Sequence, residues 1–444
     1  MEKIKKLKPE LLGGFRDYLP EIMLPKQAVL DNIRRTFESF GFLPLETPAL
    51  ERSSVLGTDT NEFNMEVYRF DASGQDVTLR FDLTVPLARV VAAYPRLLKP
   101  FKRYQLGQVW RKEKPQAGRF REFMQFDADI VGSDSILADS EIIELMYQTM
   151  INLKIDDFVI RFNNRKILNG LSQVVGFDEA RSMDVFRILD KLDKIGLEEV
   201  IRELQRPPDN EYDESAVAIS DAGIDRLKEF LELSGELDEL MSFFRGVTLA
   251  QEGINECAQI IANLRALAIP ERYWKLDLSI ARGLGYYTGP VFETTLLDIP
   301  EIGSVFSGGR YDELVIRYTG ERVPATGASI GVDRLISALD TLGRIEKKRT
   351  NSRVLVAFAS ENLGRKALTL ARRIRQSGIN TETFMGKDAA LKNQIIYAVK
   401  QGIPFVVILG EEEEAMGKVK FKDMALRQES LCSLEEVIEK LLRS

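Results

Sequence analysis

The chain has 444 residues, of which 44% are hydrophobic and 29% charged, with two cysteines and no histidine. Its length suffices for two or three domains, and its net charge of −7 gives no global electrostatic reason to bind nucleic acid. Without histidine, Ser-His-Asp triads, Cys-His dyads and histidine-based zinc sites are excluded. We therefore expect charge-handling chemistry to use arginine, lysine, tyrosine, carboxylates or backbone donors.

The chain shows no sign of membrane insertion or export. No apolar run approaches the ~20 residues that a membrane span needs. The N-terminal segment, MEKIKKLKPELLGG, lacks the apolar stretch and cleavage site of a signal peptide. We expect a soluble, cytoplasmic protein.

The first third of the chain predicts a helix followed by strands. Residues 21–41 carry apolar side chains at helical spacing and end at a glycine. Residues 42–50 read as a strand with two prolines, which favours an edge or interface position. Further strands are expected at 77–81, 101–110 and 123–131.

The middle of the chain changes in texture. From about 178 to 267 it is rich in Leu, Glu, Lys and Arg at helical spacing, and strand and glycine signals return at 274–296 and 302–338. The simplest interpretation is a helical insertion that splits one mostly antiparallel catalytic sheet.

A new pattern begins after the basic stretch 343–353. Strands and helices alternate there, with strands expected at 354–359, 380–384 and 405–409 and helices at 365–377 and up to Lys400. This alternation predicts a small separate α/β domain with a parallel sheet.

Residues 110–123 (WRKEKPQAGRFREF) join two expected strands through a polar loop. Arg111 ends the first strand and Phe123 opens the second. Guanidinium groups bind phosphates with planar forks, and an aromatic ring can stack on a purine. On spacing alone, however, an ordinary charged hairpin with a solvated tip is the favoured interpretation.

The motifs around this segment point to a family. The segment and the residues just after it resemble motif 2 of class II aminoacyl-tRNA synthetases, in the form found in the histidyl-tRNA synthetase family. They contain R-x-E, a loop, G-R-F-R-E-F and then Q-F-D. Further stretches resemble that family's signatures in its order: LRFDLTVP at 79–86, ARGLGYYTG at 281–289, SGGRYD at 307–312 and GASIGVDRL at 327–335. The last is similar to class motif 3. The unit 21–50 would be motif 1, which builds the dimer interface in this class.

The resemblance spans essentially the whole chain and implies an architecture and an activity. The fold would be an α+β catalytic core at 1–345 with a mostly antiparallel sheet, a helical insertion at about 178–267, and a C-terminal α/β anticodon-binding domain at 354–444. The implied enzyme is a homodimeric histidine–tRNA ligase. It would activate L-histidine with ATP, releasing pyrophosphate, and transfer histidine to the 3' end of tRNA(His). Mg²⁺ would be held mainly by the triphosphate, with no protein ligand assigned.

The resemblance also implies three catalytic arginines and an ATP site. Arg111 and Arg282 would contact the α-phosphate and the substrate carboxylate, and Arg334 would hold the γ-phosphate. Arg119 would clamp the bent triphosphate from the motif 2 loop. Glu113 would lie beside the adenine, with Phe123 stacked on it.

For histidine, the resemblance implies a second set of residues. Asp82 and Thr84 would bind the α-ammonium group, and Asp129 would face the imidazole. The pocket would be completed by Gln125, Tyr286 and Tyr287.

One departure and two alternatives accompany this interpretation. Gly285 stands where the family most often has aspartate, which favours a tRNA-binding or amino-acid-sensing module without catalysis. The other alternative is a synthetase-like regulatory, histidine-sensing subunit of histidine biosynthesis without aminoacylation. Such subunits usually lack the C-terminal domain and lose the motif arginines, whereas this chain retains Arg111, Arg282 and Arg334.

Overall fold

A computed structural model describes residues 7–56, 67–113, 120–189, 191–207, 216–280, 286–386 and 390–443. The chain divides into two compact units, one formed by Met1–Arg16 with Leu30–Leu342 and the other by Asp17–Val29 with Gly343–Ser444. Within the described ranges, no helix is both long enough and apolar enough to cross a membrane.

The first unit contains two sheets. Its strands are, in chain order, β1 (Leu43–Pro44), β2 (Leu50–Arg52), β3 (Arg69–Ala72), β4 (Gln75–Leu79), β5 (Phe101–Trp110), β6 (Glu122–Val131), β7 (Phe158–Asn164), β8 (Trp274–Leu276), β9 (Pro290–Leu296), β10 (Phe306–Arg310) and β11 (Ala325–Gly331). The larger sheet has the order β1-β5-β6-β11-β10-β9-β7-β8, and the smaller has the order β2-β4-β3.

The larger sheet is mostly antiparallel, which confirms the predicted class. Strand β1 pairs with β5 and β7 with β8 in parallel. The pairs from β5 through β6, β11, β10 and β9 to β7 are antiparallel.

Helices flank the sheet and fill the interval between β7 and β8. Those of the first unit are α1 (Pro20–Ser39, whose start lies in the second unit), α2 (Ser53–Leu56), α3 (Thr84–Ala93), α4 (Ile136–Asn152), α5 (Arg165–Leu171), α6 (Ser182–Leu189), α7 (Leu192–Ile195), α8 (Leu197–Gln205), α9 (Asp221–Glu232), α10 (Leu237–Phe243), α11 (Thr248–Ala266), α12 (Ile316–Thr319) and α13 (Val332–Thr341). Helices α6 to α11 occupy the stretch that was expected to be a helical insertion.

Strand β6 shows how the sheet separates core from site. Successive side chains of a strand point to opposite faces. Phe126, Ala128 and Ile130 are buried on one face, where Phe126 packs on Phe37 of α1 with ring centroids 5.0 Å apart. The polar residues Gln125, Asp127 and Asp129 alternate with them and lie on the other face. The sheet therefore has an apolar core on one side and a buried polar surface on the other.

The predicted strand at 42–50 is much shorter in the structure. Only β1 and the start of β2 fall in this interval, and β1 lies at the sheet edge, as expected from its prolines. Pro44 and Pro48 lack the N–H group that a continuous ladder requires. The strand expected at 77–81 forms a hairpin with β3, begins at Gln75 and ends at Leu79.

Among its described residues, the second unit contains one five-stranded sheet. Its elements are β12 (Val354–Phe358), α14 (Gly364–Gln376), β13 (Thr381–Thr383), α15 (Leu391–Gln401), β14 (Phe405–Leu409), α16 (Glu411–Ala415), β15 (Val419–Asp423), β16 (Gln428–Cys432) and α17 (Leu434–Arg443). The order is β13-β12-β14-β15-β16.

The sheet of the second unit is mixed rather than wholly parallel. The three predicted strands, β12, β13 and β14, pair in parallel. The parallel pairing is thus confirmed for the predicted strands, and the hairpin β15–β16, which was not predicted, adds two antiparallel strands beside β14. Lysines alternate with apolar residues in β15, so this strand lacks the continuous apolar run of β12 and β14.

Candidate active site

A cavity of about 330 Å³ opens on the polar face of the large sheet. All of the predicted site residues that the structure describes line it: Asp82, Thr84, Arg111, Glu113, Phe123, Gln125, Asp129, Tyr286, Tyr287 and Arg334. Arg119, Arg282 and Gly285 lie outside the described residues. We call Asp82, Gln125, Asp127 and Asp129 the carboxylate end of the cavity, and Arg111, Glu113, Phe123 and Arg334 the arginine end.

Asp82 lies just before α3 and is 2% exposed. Its Oδ1 accepts a hydrogen bond from the Val85 backbone N–H at 3.1 Å, so the residue does cap the first turn of the helix. Its Oδ2 has no hydrogen-bond partner in the described part of the chain. Burial raises the pKa of Asp82 to about 6, although the Val85 N–H, Arg111 and Arg103 act to lower it. One buried oxygen is thus available to a cationic ligand.

Asp129 is held between two strands. Its register partner on β5 is Arg103, which is fully buried and whose Nη2 lies 2.8 Å from Asp129 Oδ2. The Tyr311 hydroxyl donates to Asp129 Oδ1 at 2.5 Å. Burial raises the pKa of Asp129, opposed by Arg103 and by the hydrogen bond from Tyr311. The carboxylate is fixed in place by both contacts.

A glycine on the neighbouring strand makes room for this carboxylate. Gly327 of β11 is the register partner of Asp129, and a Cβ added to it would lie 2.1 Å from Asp129 Oδ1. Such a separation is impossible for real atoms. Part of the GASIGVDRL motif is therefore explained by the space that the Asp129 side chain needs.

Asp127 is a member of the carboxylate end that the sequence interpretation missed. It lies two residues before Asp129 on the same face of β6 and is 2% exposed. Its Oδ1 has no hydrogen-bond partner among the described residues. Burial raises the pKa of Asp127 to about 7, with Arg103 opposing the rise and Asp129 adding to it. Gln125, two residues earlier, likewise has a buried Oε1 without a described partner.

Three tyrosines enclose this end. The rings of Tyr286 and Tyr287 are 5.0 Å apart, and those of Tyr286 and Tyr311 are 5.9 Å apart. Burial raises the pKa of Tyr286 well above its usual value, while a hydrogen bond with Thr84 opposes the rise. Burial and the nearby aspartates also raise the pKa of Tyr287. All three hydroxyls are therefore neutral at physiological pH.

At the arginine end, Arg111 lies where β5 ends. Its Nε donates to the Phe81 carbonyl at 3.0 Å, and its guanidinium carbon lies 5.2 Å from the centroid of the Phe123 ring. Its Nη1 is 3.7 Å from Glu113 Oε1, in a pair that is about one-quarter exposed. The side chain is oriented by a backbone carbonyl and an aromatic face, as suits a guanidinium that binds an anion.

Arg334 lies on α13 and faces the same cavity. Its Nη1 donates to the Ser304 carbonyl at 2.6 Å. The preceding residue, Asp333, is 2% exposed and its Oδ2 accepts a hydrogen bond from the Met124 backbone N–H at 2.7 Å. This contact ties the start of α13 to β6, so the helix that carries Arg334 is placed by the strand that carries Asp129.

The residues that the sequence interpretation missed are Arg103, Asp127, Tyr311 and Asp333. A signal for Asp127 was present, because Gln125, Asp127 and Asp129 alternate on one strand and must share a face. Tyr311 lies inside the SGGRYD motif but is 182 positions from its partner Asp129. Only the tertiary structure brings these two together.

The described residues contain no group of three or more His, Cys, Asp or Glu side chains placed to hold a metal ion. Glu293, which also lines the cavity, is paired with Arg161.

Comparisons with known proteins identify the family. The family model of histidyl-tRNA synthetase matches residues 14–335, and that of the anticodon binding domain matches residues 353–444. A histidine–tRNA ligase of Wolinella succinogenes is 44% identical over 441 residues, covering 98% of each chain. One of Clostridium tetani is 38% identical over 443 residues, again covering 98% of each.

A solved structure extends the likeness to the fold. The crystal structure of histidyl-tRNA synthetase from a Nostoc species superposes with a TM-score of 0.85 at 34% identity, covering 99% of this chain and 100% of that one. The match includes both the catalytic unit and the C-terminal α/β domain. The chain belongs to the histidyl-tRNA synthetase family.

Proposed function

We propose that the chain activates L-histidine with ATP, forming histidyl-adenylate and pyrophosphate, and then transfers histidine to the 3' end of tRNA(His). The observation that carries this proposal is the convergence of all the described predicted site residues on one cavity, with unpaired buried acceptors at one end and guanidinium groups at the other. The first set suits a cationic amino acid, and the second suits a triphosphate.

The activation step needs orientation and charge neutralisation more than a protein nucleophile. The histidine carboxylate attacks the α-phosphorus of ATP, a new P–O bond forms, and the bond to pyrophosphate breaks. Arg111 would neutralise charge on the carboxylate and the α-phosphate, and Arg334 would hold the leaving pyrophosphate. Mg²⁺ would enter with the triphosphate and shield its charge. Arg282 is expected to act beside Arg111, and Arg119 on the triphosphate.

Recognition of histidine would use the carboxylate end. Asp82 Oδ2 and Gln125 Oε1 are acceptors for the α-ammonium group, with Thr84 beside them. Asp129 faces the ring, and Tyr286 and Tyr287 form the wall. On the purine side, Phe123 would stack on the adenine beside Glu113.

The transfer step would use the C-terminal unit as well. The match of residues 353–444 to an anticodon binding domain supports recognition of tRNA there. The 3'-terminal ribose hydroxyl attacks the acyl carbon of the adenylate, and AMP leaves. The homodimer, the cytoplasmic location and the domain boundaries at 345 and 354 remain predictions from the resemblance.

The regulatory alternative is disfavoured. The curated relatives that cover 98% of the chain are named as histidine–tRNA ligases. The C-terminal domain that regulatory subunits usually lack is present, and Arg111 and Arg334 face the cavity.

Charging of tRNA(His) tests the whole proposal. The purified full chain, incubated with radiolabelled histidine, MgATP and a tRNA(His) transcript, should give one acid-precipitable histidine per tRNA. A transcript of another tRNA is the control and should stay uncharged. Absence of charging by a chain that is folded and binds histidine would overturn the ligase proposal in favour of a sensing role.

A further inference from the structure

Arg80 is a buried arginine that the proposed mechanism does not use. It lies between β4 and α3 and is 6% exposed. Its Nε donates to the Gln108 carbonyl of β5 at 2.8 Å, and its Nη1 donates to the Thr47 carbonyl at 2.6 Å. The Pro48 carbonyl accepts a longer hydrogen bond, at 3.4 Å, from the same Nη1. One guanidinium therefore joins β5 to the segment between β1 and β2.

The main chain of Arg80 is attached to the same two segments. Its N–H donates to the Ala49 carbonyl at 3.0 Å, and its carbonyl accepts from the Trp110 N–H at 3.0 Å. A buried cation is costly unless hydrogen bonds compensate it, and the planar fork of a guanidinium reaches acceptors in two directions at once. Position 80 is thus fixed by its side chain and its backbone together.

A glycine on β5 makes room for this guanidinium. A Cβ added to Gly107 would lie 2.5 Å from Arg80 Nη2 and 3.1 Å from Leu83 Cδ2. Non-bonded heavy atoms are in optimal contact at about 3.5–4.0 Å. A side chain at position 107 would therefore push the end of Arg80 away from its carbonyl partners.

The residue after Arg80 leads directly to the arginine end of the cavity. The Phe81 carbonyl accepts the hydrogen bond from Arg111 Nε at 3.0 Å. Arg111 in turn follows β5, whose Gln108 and Trp110 backbone groups are bound to Arg80. The acceptor that orients Arg111 and the strand that precedes it are therefore both attached to one buried residue.

The carboxylate end is anchored by other contacts. Asp82 is held by the Val85 N–H at the start of α3, and Asp129 is held by Arg103 and Tyr311. None of these three contacts involves the side chain of residue 80. A disturbance there should thus reach the arginine end more strongly than the carboxylate end.

We propose that Arg80 is a positioning residue for the activation step, because it fixes the Phe81 carbonyl and so holds the Arg111 guanidinium in its orientation toward the α-phosphate. Arg80 itself is not among the described residues that line the cavity, so its effect on the reaction passes through Arg111. This inference rests on the proposed function, from which it takes the role of Arg111.

Arg80→Lys tests this role without removing the charge. Lysine keeps a cation near Asp127 and Glu51 but lacks the fork that reaches both carbonyls. Turnover in histidine-dependent ATP–pyrophosphate exchange should fall roughly 100-fold, the cost of a misplacement of about 1 Å. The KM for histidine should stay within about threefold, because the carboxylate end is anchored separately. Unchanged turnover, or a loss confined to the KM for histidine, would overturn the inference.

A double-mutant cycle determines whether Arg80 acts through Arg111. If it does, the loss of Arg111 removes the effect of Arg80. The double variant Arg80→Lys, Arg111→Ala should therefore exchange within about twofold of Arg111→Ala alone. A residue that only stabilises the fold would add its own loss to that of Arg111. Additive losses would overturn the inference.

Gly107→Ala displaces the guanidinium without removing it, since the added methyl group meets the flexible end of Arg80. Turnover should fall about tenfold, with the KM for histidine nearly unchanged. In the Arg80→Lys background the same substitution should have no further effect on turnover, because the nitrogen that it displaces is gone. If Arg80→Lys does not fold, as judged by its thermal melt, Gly107→Ala decides the question. A folded Gly107→Ala variant with wild-type turnover would overturn the inference.

Arg165→Lys is the matched control. Arg165 is also buried, at 7% exposed, and its guanidinium carbon lies 4.5 Å from the centroid of the Phe186 ring. It is not among the described residues that line the cavity, so its substitution should change turnover less than about twofold. Equal losses of turnover at Arg80 and Arg165 would overturn the inference and leave the proposed function intact. Absence of histidine-dependent exchange in the wild type would overturn both.

Discussion

The two ends of the cavity are built differently. At the carboxylate end, Asp129 has a side chain that is 4% exposed and lies in the middle of the sheet, where neighbouring strands fix its position. At the arginine end, the Arg111 side chain is 25% exposed and lies where a strand ends. Each arginine there is oriented by one backbone carbonyl.

This difference suggests a division of labour. Buried acceptors with raised pKa values select a small cationic group, because leaving them unpaired is costly. Partly exposed guanidinium groups, each oriented by a backbone carbonyl, stabilise charge that develops on a phosphate. Variants at the carboxylate end should therefore change the KM for histidine, whereas variants at the arginine end should change turnover or the KM for ATP.

The largest expected effect is at Arg111. Arg111→Ala removes a guanidinium that Phe81 and Phe123 hold in place. Turnover in histidine-dependent ATP–pyrophosphate exchange should fall by about 10³-fold, the cost of roughly 4 kcal/mol of charge stabilisation. Arg317→Ala, which removes an exposed arginine stacked on Tyr318, is the control and should change the rate less than twofold. Equal losses in both variants would contradict a specific role for Arg111.

The next effect is at Asp129. Asp129→Asn keeps the shape of the side chain but removes the charge that faces Arg103. The KM for histidine should rise by about 100-fold, roughly 2–3 kcal/mol, while the KM for ATP should stay within a factor of about two. Exchange assays at varied histidine and at varied ATP measure both. A rise confined to the KM for ATP would break the proposed division between the two ends.

A smaller effect, on stability, tests the packing of the carboxylate end. Gly327→Ala places a methyl group against the Asp129 carboxylate. The free energy of unfolding should fall by about 1–3 kcal/mol, as for other overpacked sites. On the same strand, a Cβ at Gly331 would lie 3.7 Å from the nearest Cβ, so Gly331→Ala is the matched control. Equal urea midpoints for the two variants would contradict the close approach.

The smallest expected effect is at Phe123. Phe123→Leu keeps an apolar side chain but removes the flat ring over which Arg111 lies. The KM for ATP should rise by about tenfold, since stacking of a base on an aromatic ring contributes roughly 1–3 kcal/mol. The KM for histidine should be nearly unchanged. A change in the histidine parameter instead would place the ring at the other end of the cavity.

Local patterns were sufficient to predict the longer elements. Strand β14 spans the predicted residues 405–409, because a continuous run of strand-forming residues defines it. Strand β5 spans the predicted residues 101–110, although polar residues interrupt its apolar ones. Strand β1 is shorter than predicted because of its prolines. The β15–β16 hairpin was not predicted, because lysines alternate with the apolar residues of β15. These differences reflect strand pairing, which a local pattern does not contain.

Site residues that lie within one contiguous motif could be predicted from the sequence. Residues that join the site only through tertiary contacts could not. Arg111, Glu113 and Phe123 came from one segment. The contacts of Asp129 with Arg103 and Tyr311 join β6 to β5 and to the residue after β10, so the buried cation and the third tyrosine were not foreseen. Arg103 gave no signal of its own, because a lone arginine in a strand is more often exposed.

The central claim is that the carboxylate end selects histidine for activation at the arginine end. ATP–pyrophosphate exchange by the purified chain, measured with each standard amino acid in turn, tests it most directly. The structure predicts rapid exchange with histidine and at least about 10³-fold lower exchange with the others, because the unpaired buried acceptors need the donors of its ammonium group and its ring. Equal exchange with another amino acid, or no exchange with any, would contradict the claim.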